Sequence, residues 1–393
     1  MTSGIYRLVR GMKDLIDLES EKFDFIINIA TKFAQYYNFQ HLTTPIVEYS
    51  TLFERNLGAE SDVVHKELYR FQDKSDNTLA LRPEMTAGIC RFVIENGLFQ
   101  GPFPHKYFSY GPIFRYDRPQ KGRYRQFNQL NFEIFGLKEM AQEIKVYLNM
   151  ITMFLLEIGI TNVKIKVNHL GSMEERKIYI ESLKNYLTKY KNDLSDDSKR
   201  RLETNILRIL DTKDENDKKI LQNAPKIFNF LSDDHKQFLK SFEKTNFSKI
   251  SYEIDDNLVR GLDYYSGFVF EVVTDEIGET QNSVCGGGEY NNLIFEMSKK
   301  HLNAFGFAFG IERLMELIED KTIKQDKLLY CHLTEKSTFI ENARNEFNYS
   351  FNNNLSNGLK WANQIRADFV IFEKDGQIVK KNLKSGEQKI IKN

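Results

Sequence analysis

The residues best suited to chemistry lie between Tyr107 and Gly136, in YFSYGPIFRYDRPQKGRYRQFNQLNFEIFG. Its middle reads as a loop between two antiparallel strands, with Arg115, Arg118, Lys121, Arg123 and Arg125 set against Asp117 alone. Like charges this close are unfavourable unless an anion compensates them, which points to a polyphosphate. Beyond the loop, Gln129, Asn131 and Glu133 alternate with Leu130, Phe132 and Ile134. Side chains of a strand point alternately to opposite faces, so an amide and a carboxylate share one face. The outer side of an ordinary hairpin would also look polar. The adjoining basic loop, and the pairing of amide with carboxylate, favour a pocket for a small polar substrate.

Three further segments carry candidate groups. In LVRGLDYYSGFVFEVV (Leu258–Val273), Arg260, Tyr264 and Tyr265 precede a strongly β-forming run. In VCGGGEYNNL (Val284–Leu293), three successive glycines read as a loop, although backbone without Cβ also admits a close ligand. AFGFAFGIERLMELI reads as a strand turning at Gly310 into a helix with Arg313 in its first turn. Taken singly, Arg260 reads as an exposed turn residue and Arg313 as a solvated helix residue. Neither a G-x-G-x-x-G nor a G-x4-G-K-[ST] spacing occurs, so a nucleotide site must use another architecture.

The elements that must position these groups follow from pattern. The chain has 393 residues, and at about 150 residues per domain this suggests two or three domains. With 41% hydrophobic and 28% charged residues it is not globally disordered. The 55 basic residues equal the 55 acidic ones, which argues against a uniformly basic nucleic-acid coat but leaves local patches open. Cys90, Cys285 and Cys331 are odd in number and far apart, and the seven histidines lack H-E-x-x-H spacing. Neither a disulfide framework nor a transition-metal site is indicated. With no signal-like leader and no run of about 18 apolar residues, a reduced cytosolic protein is expected.

Helical spacing runs from Asp14 to Tyr37, followed by T-T-P and a strand-like run to Phe53. Strand signals cover Leu68–Leu81 and Lys106–Gly136. A helix carrying Ile144, Leu148, Ile151 and Leu155 stops near Gly159, and Val163, Ile165 and Val167 then alternate. Ser172 with Glu175 reads as a capping box. It opens a Lys-, Asp- and Asn-rich helical insertion over about 171–246, after which strand signals resume from Ile250 to Val273. Residues 321–393 hold 13 Lys and Arg against 8 Asp and Glu, a local +5. Strand patches at Leu328–Leu333, Phe369–Phe372 and Gln377–Lys380 make this stretch a small α/β domain.

Together the segments resemble the histidyl-tRNA synthetases, which are class II aminoacyl-tRNA synthetases, over nearly the whole chain. TPIVEYSTLF (Thr44–Phe53) resembles class II motif 1, FRYDRPQKGRYRQFNQLNFEIFG (Phe114–Gly136) motif 2, and GFAFGIERL (Gly306–Leu314) motif 3. LRPEMTAG (Leu81–Gly88) and LVRGLDYYSG (Leu258–Gly267) resemble the segments peculiar to the histidine enzymes. The resemblance implies an α+β fold: an antiparallel-sheet catalytic core over 1–320 with the helical insertion, and a shortened anticodon-binding-like α/β domain over 321–393. It implies a cytoplasmic homodimer, joined through motif 1, that uses ATP and Mg²⁺ to make histidyl-adenylate from L-histidine and charges the 3′ end of tRNA(His).

Residue by residue, the resemblance gives Arg115 and Arg260 the catalytic place at the α-phosphate, Arg260 standing where metal serves in some relatives. No metal held by protein side chains is implied; Mg²⁺ comes with ATP. Arg123 would reach the terminal phosphates, and Arg313 the adenine and γ-phosphate. Glu84, Thr86 and Gln129 would take the histidine ammonium group. Glu133 and Tyr265 would bracket the imidazole, with Tyr264 and Tyr290 lining the pocket and Met85 at its edge. The chain departs from the family pattern in two places. Gly287-Gly288-Glu289-Tyr290-Asn291-Asn292 stands where G-G-R-Y-D-G is expected, and Met85 stands where many bacterial members have glycine. The alternative is a non-catalytic, histidine-sensing regulatory subunit of ATP phosphoribosyltransferase. The retained Arg115, Arg123, Arg260 and Arg313, and the presence of 321–393, weigh against it.

Overall fold

A computed structural model describes residues 6–54, 63–120, 122–243, 250–277, 282–323, 329–332, 348–349, 355–364 and 367–392. The chain divides into two units, one comprising Met1–Leu15 and Lys22–Glu319, the other Ile16–Glu21 and Asp320–Asn393.

Among the described residues, the first unit is built on eleven strands: β1 (Gln40–His41), β2 (Val47–Tyr49), β3 (Arg70–Gln72), β4 (Thr78–Leu81), β5 (His105–Phe114), β6 (Gln126–Phe135), β7 (Lys164–His169), β8 (Ser251–Ile254), β9 (Phe268–Val273), β10 (Ser283–Glu289) and β11 (Ala304–Gly310). Eight of them form one sheet in the order β1-β5-β6-β11-β10-β9-β7-β8, while β2-β4-β3 form a small second sheet. Within the large sheet only the end pairs, β1 with β5 and β7 with β8, are parallel. All inner neighbours are antiparallel. The α+β architecture is the one expected.

The long hairpin β5–β6 follows the strand pattern closely, with Glu133 opposite Tyr107 and Gln129 opposite Gly111. Leu130, Phe132 and Ile134 are buried in the core. There Phe132 stacks on Phe307 with ring centroids 5.0 Å apart. Helix α1 (Leu18–Tyr36) starts four residues later than the periodicity suggests, because Asp17 takes a left-handed φ of 51° that no continuous helix contains. The strand expected to run to Phe53 ends at Tyr49. A short helix α2 (Ser50–Glu54) follows, placing Ser50 and Phe53 on one buried face. The three glycines read as a loop lie instead inside β10, near the middle of the sheet. Helices α3 (Thr86–Glu95) and α4 (Met140–Glu157) complete the core, and α4 ends before Gly159 as expected.

The insertion is helical throughout its described part: α5 (Met173–Thr188), α6 (Asp196–Thr204), α7 (Glu215–Leu221) and α8 (Asp233–Glu243), with 3₁₀ turns at Ile206–Asp211 and Ile227–Phe230. Ser172 and Glu175 form the capping box in both directions. A buried carboxylate, Asp217, joins the pieces by accepting from Ser195 Oγ and Ser198 Oγ, each at 2.6 Å, and from Thr212 Oγ1 at 3.0 Å. The core resumes with α9 (Asn291–Ser298) and α10 (Ile311–Leu317).

Among the described residues, the second unit has a five-stranded sheet. Its strands are β12 (Leu329–His332), β13 (Asn348–Tyr349), β14 (Phe369–Lys374), β15 (Gln377–Asn382) and β16 (Gln388–Lys392), in the order β13-β12-β14-β15-β16. Helix α11 (Leu355–Gln364) buries Ala362 in a cluster with Val370, Phe372 and Val379.

Candidate active site

The cleft, about 1120 Å³ in volume, is lined by β6, β10, β11, the entry to α3, the loop after β5, the segment before β9, and the insertion. Every residue to which the family resemblance gives a role, except Met85, lines it. Met85 lies between Glu84 and Thr86 in sequence, yet it is buried in an apolar cluster with Phe53, Ala80, Ile89 and Ile113. Met85 is 1% exposed, and the same cluster holds Tyr264 and Tyr290, which line the cleft.

One end of the cleft is built from buried carboxyls. Asn131 and Glu133 are each only 1% exposed, so the polar face of β6 is an interior wall and not a solvent face. Glu133 accepts from Thr86 Oγ1 at 2.6 Å, from Tyr290 Oη at 2.6 Å and from Asn131 Nδ2 at 3.3 Å. Burial nevertheless pushes its carboxyl up to about 8, and nearby Glu84 adds to the effect. Glu84 accepts from the main-chain N–H groups of Thr86 (2.6 Å) and Ala87 (2.9 Å) at the start of α3. Burial raises its carboxyl as well. Two desolvated carboxyls side by side favour a cationic guest, which would return both to the charged form.

Glycine is required beneath Glu133. A Cβ on Gly306 would lie 1.7 Å from Glu133 Oε2. The rings of Tyr264 and Tyr265 lie 4.7 Å apart, and Tyr264 meets Tyr290 edge-on at 5.8 Å. Burial pushes the Tyr265 hydroxyl up to about 12, so it remains a donor at neutral pH. Gln129 Oε1 and Asn131 Oδ1 are buried without a partner, two acceptors left for a ligand.

The other end is cationic. Arg115 donates through Nε to the carbonyl of Pro83 at 2.9 Å, and its guanidinium lies over the Phe127 ring. Arg313 donates to the Ser283 carbonyl at 2.5 Å. Burial, and then the charges of Arg123 and Arg115, lower the pKa of Arg313. The three guanidinium groups therefore repel one another across the cleft, as the crowded basic loop suggested. Arg123 pairs with Asp117 at 3.1 Å. Arg125 does not line the cleft; its guanidinium stacks 3.7 Å over Tyr116. Lys121 lies outside the described residues.

Arg260 reaches the cleft across β10. A Cβ on Gly286 would lie 2.1 Å from its Nη2, which accounts for glycine inside a central strand. Its Nη1 donates to Glu271 Oε1 at 2.6 Å, while Nε is buried without a partner. Burial works against the charge of Arg260, yet Glu271 outweighs it and the pKa is raised. Glu271 was not among the candidates, although a single charge within the apolar run FVFEVV was a usable signal. Asn131, placed beside Gln129 and Glu133 by the β6 alternation, also lines the cleft although it was given no role. Arg201, Arg208 and Lys213 of the insertion also line the cleft, and no local pattern marks them.

Of the departures from the family pattern, Glu289 is turned away from the cleft. Its carboxylate accepts from the Phe268 N–H at 3.3 Å, and a Cβ on Gly267 would lie 2.6 Å from its Oε2. Burial pushes it up to about 7. Asn291 uses Oδ1 to accept from the Ala304 N–H at 2.7 Å, tying the start of α9 to β11. Among the described residues no group of three or more His, Cys, Asp or Glu could hold a metal, and no helix is long and apolar enough to cross a membrane.

The chain is similar to known proteins over nearly its whole length. The sequence model of the histidyl-tRNA synthetases matches residues 11–314. A histidine–tRNA ligase of Wolbachia pipientis wMel is 42% identical over 399 residues, covering 98% of this chain and 96% of that protein. One from Dictyoglomus thermophilum is 39% identical, covering 98% and 96%. The crystal structure of apo S. aureus histidyl-tRNA synthetase superposes with a TM-score of 0.74 at 29% identity, covering 99% of this chain and 97% of that one.

Proposed function

The chain belongs to the histidyl-tRNA synthetase family, and on that premise we propose that it joins L-histidine to the 3′ end of tRNA(His) at the expense of ATP. The histidine carboxylate attacks the α-phosphorus of ATP, the α–β bridging oxygen leaves with pyrophosphate, and histidyl-adenylate forms. A ribose hydroxyl of the tRNA 3′ end then attacks the acyl carbon, and AMP leaves. The observation that carries this reading is the polarity of one cleft: the buried carboxyls of Glu84 and Glu133 at one end, and mutually repelling guanidinium groups at the other.

Each end suits one substrate. Glu84, Thr86 and Gln129 take the histidine ammonium group; Glu133 and Tyr265 take the imidazole, with Tyr264 and Tyr290 closing around it. A site that hydrogen-bonds a ring N–H rejects apolar analogues, because its own groups would otherwise be left unpaired. Arg115 and Arg260 stabilise the charge developing at the α-phosphorus, with Arg260 Nε supplying an uncommitted donor. Arg123 and Arg313 hold the terminal phosphates, and Arg313 with Phe127 offers faces for adenine. Mg²⁺ arrives on ATP, whose phosphate oxygens supply its main ligands.

Residues 1–320 act as the catalytic domain, with the insertion at about 171–246, and residues 321–393, with their local +5, contribute to tRNA binding. The working form is a cytoplasmic homodimer. The exposed Ile46, Val47, Tyr49 and Phe71, on and beside β2 and β3, offer apolar surface to a second copy. The deciding experiment is ATP–pyrophosphate exchange tested with every amino acid. Histidine alone should support it; protein that binds histidine but gives no exchange with MgATP would overturn the reading.

A further inference from the structure

The segment carrying Arg260, Tyr264 and Tyr265 is held from outside the core sheet. Arg208, in the 3₁₀ turn of the insertion, donates through Nη1 to the main-chain carbonyl of Arg260 at 3.0 Å. Arg176, on α5 of the insertion, donates through Nη1 to the carbonyl of Tyr265 at 3.4 Å and through Nε to that of Leu170 at 3.1 Å. Between them, Asn205 Nδ2 donates to Asp263 Oδ1 at 2.8 Å. Gly261 lies against the same guanidinium, a Cβ built there standing at ordinary contact distance, 3.4 Å, from Arg208 Nη1. The core itself fixes Arg260 at the far end of its side chain, through Glu271. The guanidinium is thus set by β9 and the main chain beneath it by the insertion.

We propose that Arg208, assisted by Arg176, is a positioning residue for amino-acid activation: the insertion brackets both ends of residues 260–265 and so sets where the Arg260 guanidinium meets the α-phosphate. This rests on the reading of the cleft as a histidine-activating site. Its consequence is that the insertion, besides standing beside the cleft, governs the first chemical step. Arg208 bonds to the main-chain carbonyl of Arg260 itself. Its loss lets that segment move, and a small misplacement of a stabilising charge lowers turnover more than it weakens histidine binding.

The test is histidine-dependent ATP–pyrophosphate exchange by the full-length wild type, R208A, R208K, R260A and R208A/R260A, with rates normalised to titrated active sites. R208A should lower kcat about tenfold while histidine KM changes by less than about twofold. R208K, which keeps one charged donor, should recover part of the loss. In the R260A background R208A should cost nothing further, because its effect passes through Arg260. If R208A does not fold, R208K and R208K/R260A are read in the same cycle. Undiminished kcat in the Arg208 variants, or the same fractional loss with and without Arg260, overturns the proposal. Absence of exchange by the wild type would instead overturn the activity on which it rests.

Discussion

Glu133→Gln keeps the shape of the buried side chain and removes its ability to ionise. In the native protein burial lifts this carboxyl from an ordinary 4.5 to about 8. Between those values the folded state keeps a proton that the unfolded chain gives up. The associated stability is therefore fully present below 4.5 and is lost as pH rises towards 8. At about 1.36 kcal/mol per unit, the loss approaches an upper limit on the order of 5 kcal/mol. The glutamine variant would carry no such slope. Its amide can still accept from Tyr290 and meet the Thr86 hydroxyl, so the neutral forms of the two proteins should be equally stable. Urea unfolding of the ligand-free proteins at about pH 5, 7 and 9 should give matching stabilities at the acid end, with the variant ahead by several kcal/mol at the alkaline end. Glu84 contributes its own slope to both proteins and largely cancels in the difference. Catalysis should move the other way. Losing a charge-assisted bond to the imidazole, worth roughly 1.5–3 kcal/mol, should reduce kcat/KM for histidine about 10- to 150-fold. Parallel stability profiles across that pH range would refute the assignment of a desolvated, neutral Glu133 in the empty site.

Gly306→Ala would put a methyl group 1.7 Å from Glu133 Oε2; urea unfolding should register a loss of roughly 2–4 kcal/mol, and exchange should fall about a hundredfold or more. Burial, aided by neighbouring His235, pushes His169 down to about 3, and its Nδ1 accepts from the Gly171 N–H at 3.0 Å. Stability from keeping it neutral is present above its ordinary 6.5 and is lost as pH falls towards 3. His169→Asn, which keeps an acceptor, should gain about 2 kcal/mol on the wild type between about pH 7 and 5 by the same unfolding measurement. Deleting residues 321–393 should leave exchange within about twofold but lower tRNA charging by about tenfold or more, and unchanged charging would rule out their role in tRNA binding.

What could be read in advance was whatever local periodicity or a motif controls. The alternation along β6 set Gln129 and Glu133 on one row because strand geometry leaves no other choice, and Asn131 was on that row too. Ser172 and Glu175 announced the start of α5 because a capping box is complete within four residues. Met85 came from the family pattern alone, because no local periodicity shows that its side chain packs in the apolar cluster of Tyr264 and Tyr290. The glycines of β10 read as a loop because what crowds them is distant in sequence: the Arg260 guanidinium, 26 residues away, at Gly286, the Gly306 carbonyl at Gly287 and the Phe268 carbonyl at Gly288. Arg208 and Arg176 carried no signal at all. Their partners are main-chain carbonyls 52 and 89 residues distant, and a carbonyl looks the same beneath any side chain.

The sheet order has a consequence for how the chain is made. Strand β6 carries Gln129 and Glu133 and pairs with β5 as soon as the hairpin has emerged. Its other edge waits for β11, whose register joins Glu133 to Gly306. About 170 residues separate the two strands, so at roughly 5–20 residues per second a ribosome needs on the order of 10–30 s to supply the missing partner. Through that interval an apolar strand edge stands open, a template for pairing with other nascent chains. The insertion is synthesised within the same interval, and it carries contacts of its own around Asp217 that can form while β6 waits. By condensing many of the intervening residues it shortens the loop that β11 must close, and so hastens the covering of the exposed edge.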